Sequence, residues 1–296
     1  MIAFIIDPKI MKWMTEYVKS VQDYLSNRFD LHSDIVYNNS PQSIKTTHTV
    51  LIFIQKVTPG MIPGMSRYPR GRLPDTQSEP SRRVFLLNTE QVTLPKTLCN
   101  IKRAVKTFNV GIIDYSLVNI KLMREHFPNT TFVHFPFVPC FKEPVPKTID
   151  LISLRTPSSV HRNDVLSGVG LFVKDFYGLW GAQRDSQIAA SKILINLHYN
   201  TRDYRVLETI RCYNALEKGT LVVSEPGMYD SENLLHDYIF FAELKDLPKV
   251  VSNILENYEV WYNDIFNAEK LQELDNRLVA AYRNALEIIF ERDCNF

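Results

Sequence analysis

The chain has 296 residues, of which 45% are apolar and 23% charged, and its formal net charge is +1. That length suits two mid-sized domains, and that balance is ordinary for a soluble globular protein. It excludes a disordered chain and any general electrostatic draw toward nucleic acid or membrane, so an anion site must be local. The N-terminus has no basic n-region, and no apolar run approaches the ~20 residues that span a bilayer. The four cysteines show no metal-ligand spacing. Reduced thiols and a cytoplasmic protein without a membrane segment are the expectation.

The elements alternate from the start. Ile2–Ile6 reads as a strand, and Met11–Phe29 reads as a helix, with Met14, Tyr17, Val18, Val21 and Leu25 at helical spacing. Asp34–Tyr37 is a short strand, and His48–Gln55 is an apolar strand buried on both faces. Thr58–Arg82, with five prolines and three glycines, is a long loop, and its Arg67, Arg70 and Arg72 make it either a lid or a disordered segment. Arg83–Leu87 resumes the strands. Pro95–Thr107 is a helix, Val110–Ile113 a strand, Leu117–His126 a helix and Thr131–His134 a strand. The proline-rich stretch Phe135–Pro146 marks a domain boundary.

The second half restarts the pattern. Ile149–Leu154, Gly170–Lys174, Lys192–Leu197, Thr220–Ser224 and Tyr238–Phe241 read as strands. Val160–Ser167, Arg184–Ala190, Tyr204–Glu217 and Leu247–Asn257 read as helices, Gly219 closes the third of these, and Val260–Arg292 is nearly all helix. Strand–helix alternation in both halves predicts an α/β protein with two parallel sheets, in two Rossmann-like domains facing one central cleft. Ser191–Glu225 is the most informative stretch. It places Glu208 in the first turns of a helix that opens at the C-terminal end of a strand, where open α/β sheets bind nucleotide-bearing ligands.

Four segments carry a resemblance: LLNTEQ (Leu86–Gln91), IDYSLVNIKLM (Ile113–Met123), GLWGAQRDSQIAASKILINLHY (Gly178–Tyr199) and LETIRCYNALEKGTLVVSE (Leu207–Glu225). They resemble segments of glycosyltransferases with the two-Rossmann-domain GT-B fold, in particular small glycosyltransferase-like proteins of bacteria and large DNA viruses. The resemblance implies residues 1–145 as an acceptor domain and 146–296 as a donor domain. In that fold the last helix, from about 275 to 296, crosses back to the first domain. It also implies metal-independent transfer of a hexose or pentose from a nucleotide-sugar donor, UDP- or GDP-linked, to a glycan, glycoconjugate or other hydroxyl acceptor. No separate cofactor and no nucleic-acid partner are expected. One departure stands out. Retaining members carry two glutamates separated by seven residues; Glu208 matches the second, but Asn200 stands at the first.

The chemistry assigns roles. A carboxylate accepts two hydroxyl hydrogen bonds at once, so Glu208 suits a ribose diol, the alternative being an ion pair with Arg205 or Arg211. A departing diphosphate needs fixed cations and helix amides. The candidates are Arg162, Arg184, Lys192 and Arg205, with the amides of Tyr204–Val206. Each cation is otherwise an ordinary surface charge, and Arg184 has Asp185 and Asp203 within reach. His198, at a strand end, faces either the donor or the core. Glu90 and then Asp114 are candidate bases for an inverting reaction, Asp114 being the better placed for helix capping. No D-x-D triplet offers metal ligands. An inactive nucleotide- or glycan-binding protein of the same fold is the competing reading. A sugar-nucleotide epimerase is disfavoured by the missing G-x-G-x-x-G after the first strand.

Overall fold

The computed structural model describes residues 1–7, 11–39, 41–57, 83–141, 144–154, 159–168, 173–176, 179, 181–199 and 206–290. The arginine-bearing loop at 58–82 lies outside them. The chain divides into two compact units, Met1–Val138 with Val279–Phe296, and Pro139–Leu278.

The first unit is built on a six-stranded sheet in the order β2-β1-β3-β4-β5-β6. Its strands are β1 (Ile2–Ile6), β2 (Ser33–Tyr37), β3 (Val50–Ile54), β4 (Arg83–Asn88), β5 (Gly111–Asp114) and β6 (Phe132–His134), and every pairing is parallel. β1 and β3 are buried at all positions. Side chains alternate across a sheet, so such runs need cover on both faces. The register makes one row of Ile5, Phe53, Leu86 and Ile112. This row shares a core with Ile101 and Ala104 of α2 (Pro95–Phe108) and Ile120 and Met123 of α3 (Leu117–His126). The next row is Phe4, Ile52, Phe85 and Gly111. A Cβ on Gly111 would lie 2.5 Å from the Phe85 ring, which is why the row ends in glycine. α1 (Met11–Phe29) completes the crossover from β1 to β2.

Caps follow local chemistry. Pro95 opens α2, Asn109 closes it in the left-handed region at φ 46°, and Ser116 caps α3 by accepting from the Asn119 amide at 3.3 Å.

The second unit has a five-stranded parallel sheet in the order β11-β10-β9-β7-β8. These are β7 (Ile149–Leu154), β8 (Lys174–Phe176), β9 (Ser191–Asn196), β10 (Leu221–Ser224) and β11 (Phe240–Phe241). Helices α4 (Val160–Gly168), α5 (Ala182–Ala189), α6 (Thr209–Leu216), α7 (Leu247–Glu256) and α8 (Tyr258–Ile265) alternate with the strands or follow them. Gly219 ends the turn after α6 at φ 63°. Its conformation favours glycine, and a Cβ there would press on the Tyr262 hydroxyl at 2.9 Å.

Two expectations shift. The strand expected over Gly170–Lys174 is β8, displaced toward Phe176, with 170–172 outside the described residues. The helix expected from Tyr204 is α6, which begins at Thr209, because Glu208 before it has φ −77° and ψ 72°, outside the helical region, and 204–205 lie outside the described residues. The tail, expected to be nearly all helix, is so up to Phe290, in two helices. Between them Asn267 accepts from the Lys270 amide at 2.8 Å, an internal cap that starts α9 (Ala268–Phe290).

From residue 279 onward α9 belongs to the first unit. There Tyr282 is fully buried, stacks on Phe135 at 5.0 Å between centroids and donates to the Pro136 carbonyl at 2.7 Å.

Candidate functional site

In the second sheet the strand order reverses direction between β7 and β9: the chain leaves β7 to one side for β8, then crosses to the other side for β9. Open α/β sheets bind ligands outside the strand C-termini at such a switch point. Here it is lined by the start of α4, the residues after β9 and the start of α6.

Ser159 ties these together. Its hydroxyl donates to the Tyr199 carbonyl at 2.6 Å and accepts from the Arg162 amide at 3.2 Å, capping α4 while anchoring it to the end of β9. Arg162, 4% exposed, then turns inward. Its Nε donates to the carbonyls of Leu197 (2.9 Å) and His198 (3.2 Å), and its Nη2 meets Glu208 Oε1 at 2.8 Å. The other Glu208 oxygen takes Arg211 Nη2 at 2.6 Å, one turn along α6. Arg211 also donates to Asn196 Oδ1 at 2.7 Å, and Asn196 donates to the Ser224 hydroxyl at 3.0 Å. One carboxylate between two guanidiniums is thus braced on the ends of β9 and β10. Burial, with Arg211 close by, pulls the Arg162 guanidinium down to about 10.

A second group adjoins it. Glu225, just past β10, accepts from the His198 amide at 3.1 Å and pairs with His161 Nε2 at 3.0 Å. The His198 ring, in a residue 3% exposed, reaches the Pro226 carbonyl through Nε2 at 3.1 Å, whereas its buried Nδ1 has no hydrogen-bond partner among the described residues. Asp230 accepts from the Gly227 amide through Oδ2 at 2.6 Å, and its buried Oδ1 likewise has no hydrogen-bond partner among the described residues. Burial pushes the Asp230 carboxyl up, while His198 and His236 pull it back.

The expected site residues separate accordingly. Arg162, His198 and Glu208 come together, Glu208 as the residue that precedes α6 and in the ion pair with Arg211. Tyr204 and Arg205 lie outside the described residues, as does Asn200. Arg184 is spent on Asp185, at 2.7 Å and 2.9 Å. Lys192 is at the wrong edge. It stands at the beginning of β9, paired at 2.7 Å with Asp150 at the beginning of β7, whereas the C-terminal ends of these strands are Asn196 and Leu154, roughly 13 Å further along at about 3.3 Å per residue. A cation there does not join the Arg162 group.

In the first unit Asp114 is fully buried. Its oxygens accept from Asn88 Nδ2 (2.6 Å), the Ser116 amide (2.8 Å) and Asn119 Nδ2 (3.1 and 3.3 Å). Burial outweighs these donors and pushes its carboxyl up to about 7. With no exposed surface it holds the turn after β4 rather than touching an acceptor: Asn88 and Asn119 both donate onward to the Glu90 carbonyl, at 2.7 and 3.1 Å. Glu90 itself is exposed at the C-terminal edge, 3.5 Å from Gln55 Nε2. Gln55 adopts φ 61°, strain of the kind found at binding sites.

Sequence reasoning passed over His161, Glu225 and Asp230, and weighed Arg211 only as a partner. A carboxylate ending the apolar run of β10 was the available signal for Glu225. His161 is brought to it from 64 residues away, which no local pattern records.

No family model matches the chain. It is 27% identical over 293 residues to uncharacterized protein L137 of Acanthamoeba polyphaga mimivirus, covering 92% of this chain and 36% of that protein. It is 27% identical over 259 residues to uncharacterized protein L140 of the same virus, covering 82% and 77%. The chain therefore spans about a third of the length of the first relative. Among solved structures, an alpha-glucosyltransferase in complex with UDP and mismatched DNA aligns over 98% of this chain and 99% of its own, with TM-score 0.62 and 11% identity. T4 phage BGT with UDP-glucose aligns over 97% and 99%, with TM-score 0.55 and 12% identity. S. aureus TarM with UDP aligns over 86% and 58%, with TM-score 0.56 and 12% identity. Among the described residues no helix is long and apolar enough to cross a membrane. Two parallel sheets and these likenesses show that the chain has the GT-B fold.

Proposed function

We propose that the chain is a glycosyltransferase that binds a nucleoside diphosphate sugar, UDP-linked, at the C-terminal edge of the second unit's sheet and transfers the sugar to a hydroxyl acceptor. The observation that carries the reading is Glu208 held between Arg162 and Arg211 at the switch point. A ribose diol would take lone pairs of Glu208, and an arginine released from it would turn to the diphosphate. The departing diphosphate gains negative charge, and a buried guanidinium in a low-dielectric setting is a strong partner for it. No step needs a metal ion if the two arginines carry that charge. Glu90, exposed after β4, is the group suited to deprotonate an acceptor hydroxyl in an inverting reaction. The acceptor in this reading is a glycan or another polyhydroxylated polymer. DNA is a second class to test, because it accompanies one of the similar structures.

Thermal melting in the presence of UDP, GDP and their sugars tests the donor half, since a ligand that binds only the folded state raises stability. UDP should stabilise the protein, and Glu208→Ala should abolish that shift. An unchanged shift in the variant removes Glu208 from the site. Release of free UDP from a UDP-sugar then separates transfer from binding. The reading as a binding protein is favoured by Asn200 at the usual first carboxylate and by the engagement of both Glu208 oxygens.

A further inference from the structure

The net charge of +1 averages over a surface that is not uniform. α2 carries four cations, Lys96, Lys102, Arg103 and Lys106, and no carboxylate. All four are exposed. At about 100° and 1.5 Å per residue they fall within an arc of about 120°, opposite the buried Thr97, Ile101 and Ala104, and span about 15 Å of the helix.

α3 extends the patch. β4, β5 and β6 are parallel neighbours in that order, so the right-handed crossovers α2 and α3 lie side by side on one face of the first sheet. Both pack into the same core, α2 through Ile101 and Ala104, α3 through Ile120 and Met123. Lys121 and Arg124 are exposed on α3. From Pro95 to His126 the one exposed carboxylate is Glu125, since Asp114 is buried. Among the described residues Lys96, Lys102, Arg103, Lys106 and Arg124 have no ion-pair partner.

Helix formation does not account for this arrangement. Lys96 stands in the first turn of α2, where the helix dipole disfavours a cation and no acidic residue offsets it. Lys102 and Lys106 are four residues apart, and Arg103 and Lys106 three apart, spacings at which like charges repel. The favourable contacts of these cations lie with a partner outside the fold.

The chemistry of the face selects that partner. A membrane-surface helix inserts apolar side chains, but the apolar side of α2 is spent in the core, and Leu117 is the one large apolar residue exposed on α3. Protein interfaces centre on aromatic residues and are poor in lysine, whereas this face exposes four lysines and no Phe, Tyr or Trp. Single-stranded nucleic acid likewise calls for rings on which bases stack. A duplex presents rows of phosphates that lysine and arginine neutralise with no other chemistry. We propose that the outer face of α2 and α3 binds the phosphate backbone of double-stranded nucleic acid without reading its sequence. The inference goes beyond the transferase reading and does not depend on it.

Fluorescence anisotropy on the full chain, with labelled DNA duplexes of about 20 base pairs in about 50 to 200 mM NaCl, tests it. Four to six phosphate contacts predict a log–log salt slope of about −4 to −5, a loss of roughly 10²–10³ in affinity across that range. Two duplexes of unrelated sequence should bind alike. Combining Lys102→Glu, Arg103→Glu and Lys106→Glu should weaken binding at least about tenfold at the lower salt and flatten the slope by about 3. The combination Lys102→Gln, Arg103→Gln and Lys106→Gln should act in the same direction and melt no lower than the wild type, because it relieves repulsion within α2. It keeps the test informative if the charge-reversed chain fails to fold. Absence of duplex binding at the lower salt overturns the proposal, as do unchanged affinity and slope in the glutamine variant or a strong preference between the two sequences. Tighter binding to phosphatidylserine vesicles than to the duplex, or a glutamine variant that melts well below the wild type, overturns it too.

Discussion

Arg162 and Glu208, 46 residues apart in the chain, meet at 2.8 Å, and the same guanidinium binds two carbonyls at the end of β9. The contact joins the first helix of the second unit to the start of α6 and makes one rigid corner from three chain segments.

Replacing Arg162 should therefore disturb more than one ion pair. Arg162→Met leaves two carbonyls without their donor and Glu208 with Arg211 alone. A loss of about 2–4 kcal/mol in unfolding free energy is expected, read by urea denaturation. Arg162→Lys should recover little, because an ammonium cannot serve the carbonyls and the carboxylate with a planar fork.

The corner was only partly legible in the sequence. The strands of both sheets show as apolar runs because parallel strands covered on two faces have no polar side, as β1 and β3 illustrate. Glu208 was legible as a carboxylate between two strands, but not its torsions, since Thr209 rather than Tyr204 starts the helix. Lys192 was offered as a candidate cation although its place at a strand's beginning argued against it. In a parallel sheet a residue at a strand's beginning is on the edge away from the ligand, and its direction follows from the sequence. The unpartnered atoms of His198 and Asp230 depend on packing among β9, β10 and the following turn, which no spacing rule contains.

Asp114 gives a dependence on pH. Its folded value, about 7, lies above the ordinary 3.8, so between those values the folded state binds more protons than the unfolded chain. Stability from this group is full below pH 4 and declines as pH rises through 7. Denaturation midpoints measured from pH 5 to 8 should fall in the wild type, and Asp114→Asn should flatten that slope while lowering stability overall, because an amide presents a donor to Asn88 or Asn119.

Gly111→Ala should destabilise by about 1–3 kcal/mol, since the new methyl meets the Phe85 ring at 2.5 Å. Phe85→Leu in the same chain should restore part of the loss. Such recovery in a double-mutant cycle identifies the ring contact as the cause.

Tyr282 offers a graded test of how α9 holds the first unit. Tyr282→Phe removes the hydroxyl with its 2.7 Å bond to the Pro136 carbonyl and should cost about 1–2 kcal/mol. Tyr282→Ala also empties the space between Tyr24 and Phe135 and should cost about 3–5 kcal/mol. Calorimetric melting would resolve the two, and equal losses would mean the ring contributes nothing.

Because residues 279–290 complete a unit that begins at Met1, that unit is discontinuous along the polypeptide. On the ribosome its six strands emerge long before the helix that covers Tyr24 and Phe135. Until the last helix is translated, the early-made half waits with an uncovered aromatic surface, while the later half already has nearly all of its own sequence. The segment that closes the first unit is therefore made only after all of the second unit's residues.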